Sequence, residues 1–256
     1  RRELLRQILD EETLSNLLDQ RAVEEVDSKL QHTHPRRRAR NSNELARALL
    51  ELGDLVDAPD DEISLLDRTD GDSRVMMSEL VSSRRAILVP IPTAESNRER
   101  WISTENYPFY KAAFGVDVQL DDTDKRILRA LAGKRPLPIS RIHPATEGRI
   151  EKLVSGYVVL RVLEGGDVAY IAASAWIPKV IREHGMSRLE ARSALIQKYV
   201  RSHGPVTKYE IMERYGFPDQ FVERALENQQ EAGNVAKGEY IPTKPFPQWR
   251  YKSNLE

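Results

Sequence analysis

The chain has 256 residues, enough for one large domain or two to three small ones, with 40% hydrophobic and only 7% aromatic residues. Its 39 Lys and Arg against 40 Asp and Glu give a net charge of -1, so it lacks the basic surplus usual in a free-standing nucleic-acid binder. It has no cysteine, which excludes disulfides, thiolate zinc sites and a cysteine nucleophile, and no apolar run approaches the roughly 20 residues of a membrane span.

The start, Arg1-Arg2-Glu3-Leu4, has no apolar core of a secretory signal; starting without Met suggests a fragment or a processed chain, taken as an excerpt, and the absence of cysteine fits a reducing cytosol. Glu3 to Leu30 reads as one or two charged amphipathic helices, with Leu14, Leu17, Leu18, Val23, Val26 and Leu30 at helical spacing. A basic, proline-broken connector follows, from His32 to Arg40.

Beyond it one plan recurs three times: helix, short helix, helix, then a β-hairpin. In the first copy Asn41 and Glu44 open a helix lined by Leu45, Leu49 and Leu52 and stopped by Gly53. A short element around Ile63, Leu65 and Leu66 follows, then a helix from about Asp72 with Met76, Met77, Leu80 and Val81. Ala86–Ile91 and Arg100–Ser103 are expected strands around a polar loop from Thr93 to Glu99.

The second copy opens near Asp121, with Ile127, Leu128 and Leu131 apolar. A helix from about Pro144 carries Ile150, Leu153 and Val154. Tyr157 to Leu163 and Val168 to Ala172 form the clearest hairpin, turning at Gly165-Gly166. Trp176 to His184, with Pro178 near its start, reads as a strut helix.

In the third copy Ser187 and Glu190 form a capping box before a helix with Leu195, Ile196, Tyr199 and Val200. Gly204-Pro205 turns the chain, and Thr207 with Glu210 caps a short helix bearing Ile211, Met212 and Tyr215 and ended by Gly216. A third helix from about Pro218 presents Val222, Ala225 and Leu226. Val235 to Ile241 is a strand, with Gln248 to Lys252 as its partner. This order is the winged-helix pattern. The expected fold is therefore α+β and mostly helical: tandem winged-helix modules with small β-hairpins at 41–115, 116–185 and 186–256, after a helical segment and connector at 1–40.

Residues 199–216, from Tyr199 through His203-Gly204-Pro205 to Tyr215-Gly216, resemble a segment of the Lhr-type (large helicase-related) DNA helicases. So do Val222-Glu223-Arg224-Ala225-Leu226, Glu231-Ala232-Gly233-Asn234-Val235 and Gly238-Glu239-Tyr240-Ile241-Pro242. Gln248-Trp249-Arg250 departs from the family, where a Trp-Cys pair is expected and Arg250 stands instead. Asn43-Glu44-Leu45 and Arg100 to Asn106 extend a weaker resemblance upstream. The resemblance implies a region C-terminal to the motor of an ATP-dependent helicase. Single-stranded or forked DNA and the motor domains of the same chain would be its partners, and ATP and Mg would belong to the motor.

No phosphate-binding G-x-x-x-x-G-K-[ST] loop is present, so no cofactor is expected in this stretch. His32 and His34 lie in a connector, and His143, His184 and His203 are scattered; no metal site and no catalytic residue is singled out. Four basic groups can meet phosphates. Arg36, Arg37, Arg38 and Arg40 form the first. Arg84 and Arg85, near a loop with Arg98, Arg100 and Trp101, form the second. Lys208 and Tyr209, at a helix start, form the third, and the wing residues Lys237, Lys244, Trp249, Arg250 and Lys252 the fourth. Asp219, Glu223 and Glu227 disfavour the third helix of the last module as a groove reader and favour its wing. Two alternatives stay open: structural modules that pack on the motor and touch no DNA, and a winged-helix DNA glycosylase, which needs a polar pocket lined by a carboxylate.

Overall fold

The computed structural model describes residues 20–57, 63–133, 135–143, 146–164 and 167–255. Leu14, Leu17 and Leu18, Pro144 and the Gly165-Gly166 turn lie outside the described residues. The fold is mostly helical with two antiparallel sheets. The chain divides into one unit of Ala39–Pro92 and Asn97–Ala194, and another of Arg1–Arg38, Thr93–Ser96 and Leu195–Glu256.

In the unit of Ala39–Pro92 and Asn97–Ala194, helix α2 (Ser42–Leu52; α1 is Gln20–Leu30) starts where Asn41 Oδ1 accepts from the Glu44 N–H at 3.0 Å. The Glu44 carboxylate accepts in turn from the backbone of Arg40, one residue earlier than a regular capping box. Gly53, at φ 101°, closes the helix in a backbone region that favours glycine. Leu45, Ala48, Leu49 and Leu52 are buried, as the heptad-like spacing predicts. A 3-10 turn at Leu66–Arg68 replaces the expected short helix, and α3 (Ser73–Ser82) is capped by Asp72.

The first hairpin is longer than expected. Its strands β2 (Ala86–Pro92) and β3 (Asn97–Ser103) pair from Ala86–Ser103 to Pro92–Asn97, which leaves a loop of 93–96 only. Asn97, Arg98 and Glu99 hid the start of the strand, because a run of consecutive polar residues shows none of the alternation that marks a half-buried strand. Asp54–Leu55 (β1) adds to β3, and β2 touches β4 (Val159–Glu164) at Leu88–Arg161. The hairpins expected in two separate modules thus lie in one five-stranded sheet, β1-β3-β2-β4-β5, with β5 at Asp167–Ala172.

Helix α4 (Tyr107–Phe114), not foreseen from sequence, buries Tyr107, Tyr110, Ala113 and Phe114 and begins with Pro108 in its first turn. The Tyr107 hydroxyl donates to the Tyr157 carbonyl at 2.7 Å, and the Tyr157 hydroxyl to that of Pro90 at 2.6 Å. Burial pushes the Tyr107 phenol up to about 12. The expected strut helix is two short helices, α7 (Ala173–Trp176) and α8 (Lys179–Arg182). Pro178 breaks it: Ile177 takes the extended conformation (φ -88°, ψ 127°) forced on a residue before proline.

Helices α5 (Asp122–Leu131) and α6 (Glu147–Ser155) pack Ile127, Leu131, Ile150, Leu153 and Val154 into a cluster with Ile142, Val159 and Ala172. Asp121 and Asp124 form the capping box of α5. The Arg149 guanidinium, 2.7 Å from Asp121, holds its carboxyl down at about 2. Burial raises that of Asp124, but hydrogen bonds from Lys152 and Arg149 outweigh it and hold it low. Because folding depresses the Asp121 pKa, its stabilisation is present above the ordinary value of 3.8 and is lost as pH falls toward 2. Asp121→Asn keeps a good cap and removes the ion pair, so this acid-sensitive part should vanish from circular-dichroism titrations between pH 4 and 2; an unchanged acid limb would refute the linkage.

The unit of Arg1–Arg38, Thr93–Ser96 and Leu195–Glu256 takes its first core residues from α9 (Arg188–Ser202), whose start carries the expected Ser187–Glu190 capping box. Helices α10 (Lys208–Tyr215) and α11 (Asp219–Glu231) follow. The Thr207–Glu210 capping box and the left-handed Gly216 (φ 59°) bound α10 as the sequence predicts. Leu195, Ile196, Val200, Ile211, Tyr215, Val222, Leu226, Val235 and Trp249 are buried. The sheet has three strands, β6 (Val206–Thr207), β8 (Gln248–Tyr251) and β7 (Val235–Gly238), with β8 in the middle. Three helices and this wing make a winged helix. Helix α1 joins it through Gln31, which donates to the Ser202 carbonyl at 2.6 Å, and Asp27, which accepts from the Gly204 N–H at 2.6 Å. A Cβ on Gly204 would stand 3.1 Å from that of Asp27, a tight contact that would oblige Asp27 to give by a few tenths of an ångström. Among the described residues no helix is long and apolar enough to cross a membrane.

Candidate nucleic-acid interface

The exposed face of α2 presents Asn43, Ala46, Arg47 and Leu50, opposite the buried Leu45 and Leu49. That face lines a cleft of about 800 Å³ together with Ser83, Arg84 and Arg85, Ser103 to Glu105, and Ser174 to Lys179. Arg84 sits at φ 58°, a strained setting for a non-glycine residue, which turns its guanidinium over the Trp176 ring at 4.7 Å. It also donates to the Ala175 carbonyl at 3.3 Å. Arg85 donates to Asn43 Oδ1 at 2.6 Å. Arg47, Arg84, Arg85 and Lys179 are all exposed, and among the described residues Glu105 is the one carboxylate lining the cleft. A four-to-one cationic excess has gathered on a chain whose charges otherwise balance.

A second pocket, about 220 Å³, lies within the C-terminal winged helix. Lys208, Tyr209, Glu223, Leu226, Lys237, Phe246, Pro247 and Trp249 line it. Four residues singled out from sequence, Lys208, Tyr209, Lys237 and Trp249, therefore share one concavity. The Lys208 ammonium reaches Asp219 at 2.7 Å and Glu223 at 3.3 Å, and the Asp219 bond in particular raises its pKa. Lys237 is exposed, its ammonium 4.9 Å from the centroid of the buried Trp249 ring.

The other basic candidates divide by environment. Arg36, Arg37 and Arg40 are exposed on the connector, while Arg38 is half-buried with its Nε–H donating to the Thr33 carbonyl at 3.0 Å. Arg98 and Lys252 are half-buried. Arg100 is fully buried and ion-paired to Asp54 at 2.8 Å, and Trp101 is buried beside it on β3, so both belong to the core and not to a surface. Lys244 is held by Glu210 at 2.6 Å and by the Pro205 carbonyl at 3.0 Å, and Arg250 lies over the Tyr240 ring at 5.1 Å. Of the wing cations, Lys237 is the one the structure leaves exposed. Sequence alone does not single out Arg47, Lys179 or Phe246. Arg47 could have been found from the polar stripe of α2; Lys179 and Phe246 join their sites only through folding.

His32 is buried and His34 half-buried, and among the described residues no group of three His, Asp or Glu side chains could hold a metal ion. Among the described residues, the carboxylates that line these two cavities remain accessible: Glu105 is exposed, and the Glu223 side chain is 46% exposed and paired with Lys208. Neither has the dry setting that raises a carboxyl pKa for acid/base work.

No match to a curated protein was found in sequence. Among solved structures the chain is similar to the Streptomyces sahachiroi DNA glycosylase AlkZ, with a TM-score of 0.64 at 11% identity, over 92% of this chain and 70% of that one. At that identity the likeness shows the fold alone. The model of the large helicase-related protein winged-helix domain matches residues 16–125, a stretch that holds α2, the first hairpin, Arg84 and Arg85. Over those residues the chain is similar to the winged-helix domain of the large helicase-related, Lhr-type, proteins.

Proposed function

We propose that the chain is an accessory nucleic-acid-binding and scaffolding region of an Lhr-type DNA helicase, without the ATPase motor. Its partners are single-stranded or forked DNA and the motor domains of the parent protein; ATP and Mg act in that motor, and the protein works in the cytoplasm. The observation that carries this function is the cleft lined by Arg47, Arg84, Arg85 and Lys179. Exposed guanidinium groups on a rigid helix and turn suit phosphate oxygens, to which Arg donates in a fork. The family match over residues 16–125 supports the helicase context.

Fluorescence anisotropy of the chain with single-stranded, duplex and forked DNA at several salt concentrations tests it. Each phosphate contact contributes about 0.7 to the log-log salt slope on single strands, so Arg47→Glu with Arg84→Gln and Arg85→Glu should flatten the slope by about 2. Unchanged binding in that triple variant would refute the cleft. Absence of binding to any of the three DNAs at low salt would favour modules that only scaffold the motor, a reading the net charge of -1 and the acidic surface of α11 support.

A further inference from the structure

Resting on the strand-binding function proposed above, we propose that the 220 Å³ pocket of the C-terminal winged helix is a stacking site for one unpaired nucleobase, with Tyr209 and Phe246 as its platform and Lys237 as its phosphate contact. Tyr209 and Phe246 are 42% and 45% exposed, large for aromatic side chains, and their ring centroids are 4.4 Å apart. Tyr209 comes from the first turn of α10 and Phe246 from the loop that precedes β8, so folding alone joins them.

The buried Trp249 ring lines the same pocket, with the exposed Lys237 ammonium 4.9 Å from its centroid. Lys208 lies 5.4 Å from the Tyr209 ring, but Asp219 and Glu223 already hold it. A cation beside an open aromatic face is the arrangement that holds a base with its phosphate on single-strand binding proteins. Size selects the occupant. A 220 Å³ pocket is below the roughly 300–1,000 Å³ of sites that engulf a whole ligand, so it admits a ring system and not a duplex. The acids of α11 reinforce this: Asp219, Glu223 and Glu227 repel the paired phosphates of a groove, whereas one base on Tyr209 and Phe246 brings only its own phosphate.

The test compares the full chain on an oligothymidylate and on an abasic oligonucleotide of equal length, which keeps the phosphates and lacks the rings. Tyr209→Leu and Phe246→Leu keep apolar bulk at exposed positions and so leave folding intact, as a melting curve would verify. Each should weaken oligothymidylate binding by about fivefold to 150-fold, the loss of one stacked base, and leave abasic binding unchanged. Lys237→Gln should weaken both oligonucleotides alike. Equal affinity of the parent chain for the two oligonucleotides, or full oligothymidylate affinity in both leucine variants, would overturn the stacking site. Failure of the cleft has a different signature: its Arg variants would then bind normally while the leucine variants still lose the thymidylate preference.

Discussion

Asp54→Ala should destabilise the unit of Ala39–Pro92 and Asn97–Ala194 by about 3–5 kcal/mol, the loss expected when one partner of a buried ion pair is removed. Asp54 and Arg100 are both fully buried, with Arg100 donating to one carboxylate oxygen at 2.8 Å and the Tyr110 hydroxyl to the other at 2.8 Å. Truncation takes the carboxylate from a guanidinium that cannot shed its charge, and from a phenol in the same dry site. A domain this size holds only about 5–15 kcal/mol in all, so urea melts should shift strongly. Asp54→Asn, which keeps an acceptor for Tyr110, should lose less than the alanine variant. A loss below about 1 kcal/mol in Asp54→Ala would show that water reaches the pair.

Trp101→Ala should destabilise the same unit by about 3–5 kcal/mol, as truncations of a large buried aromatic do. Trp101 is 2% exposed and pairs with Leu55 and Leu88 across β1 and β2, on an interior strand of the five-stranded sheet. An aromatic among arginines can also stack a base, and the two roles separate in Trp101→Leu, which keeps apolar bulk and has no aromatic face. That variant should melt between the parent and the alanine variant and bind DNA with parental affinity while folded. A folded Trp101→Leu that loses DNA affinity would instead bring Trp101 to the interface.

Local chemistry was legible in the sequence. The Thr207–Glu210 and Ser187–Glu190 boxes, the Asn41 cap and the Gly53 and Gly216 stops act within four residues of one another, so spacing alone specifies them. The buried faces of α2, α6 and α11 follow from helical period for the same reason. Helix α4 escaped because its aromatics are buried nearly all round and give no polar stripe to read. The strut helix was misread because Pro178, placed near its start, instead forces Ile177 into the extended conformation and splits the helix in two.

Charge was legible only as a tally. Arg84, Arg85 and Arg100 look alike in sequence, yet two line a cleft and one is sealed in the core. Whether an arginine meets water or a carboxylate depends on strand pairing, and β1 brings Asp54 to Arg100 across 46 residues of chain. The sequence by itself determined the winged-helix order, the helix caps and the apolar faces, because these rest on contacts a few residues apart. Only the tertiary structure decided that two hairpins share one sheet, that Arg47 and Lys179 meet Arg84 and Arg85, and that Phe246 meets Tyr209. Those juxtapositions close long loops, and long-range packing energy selects them rather than any local preference of the chain.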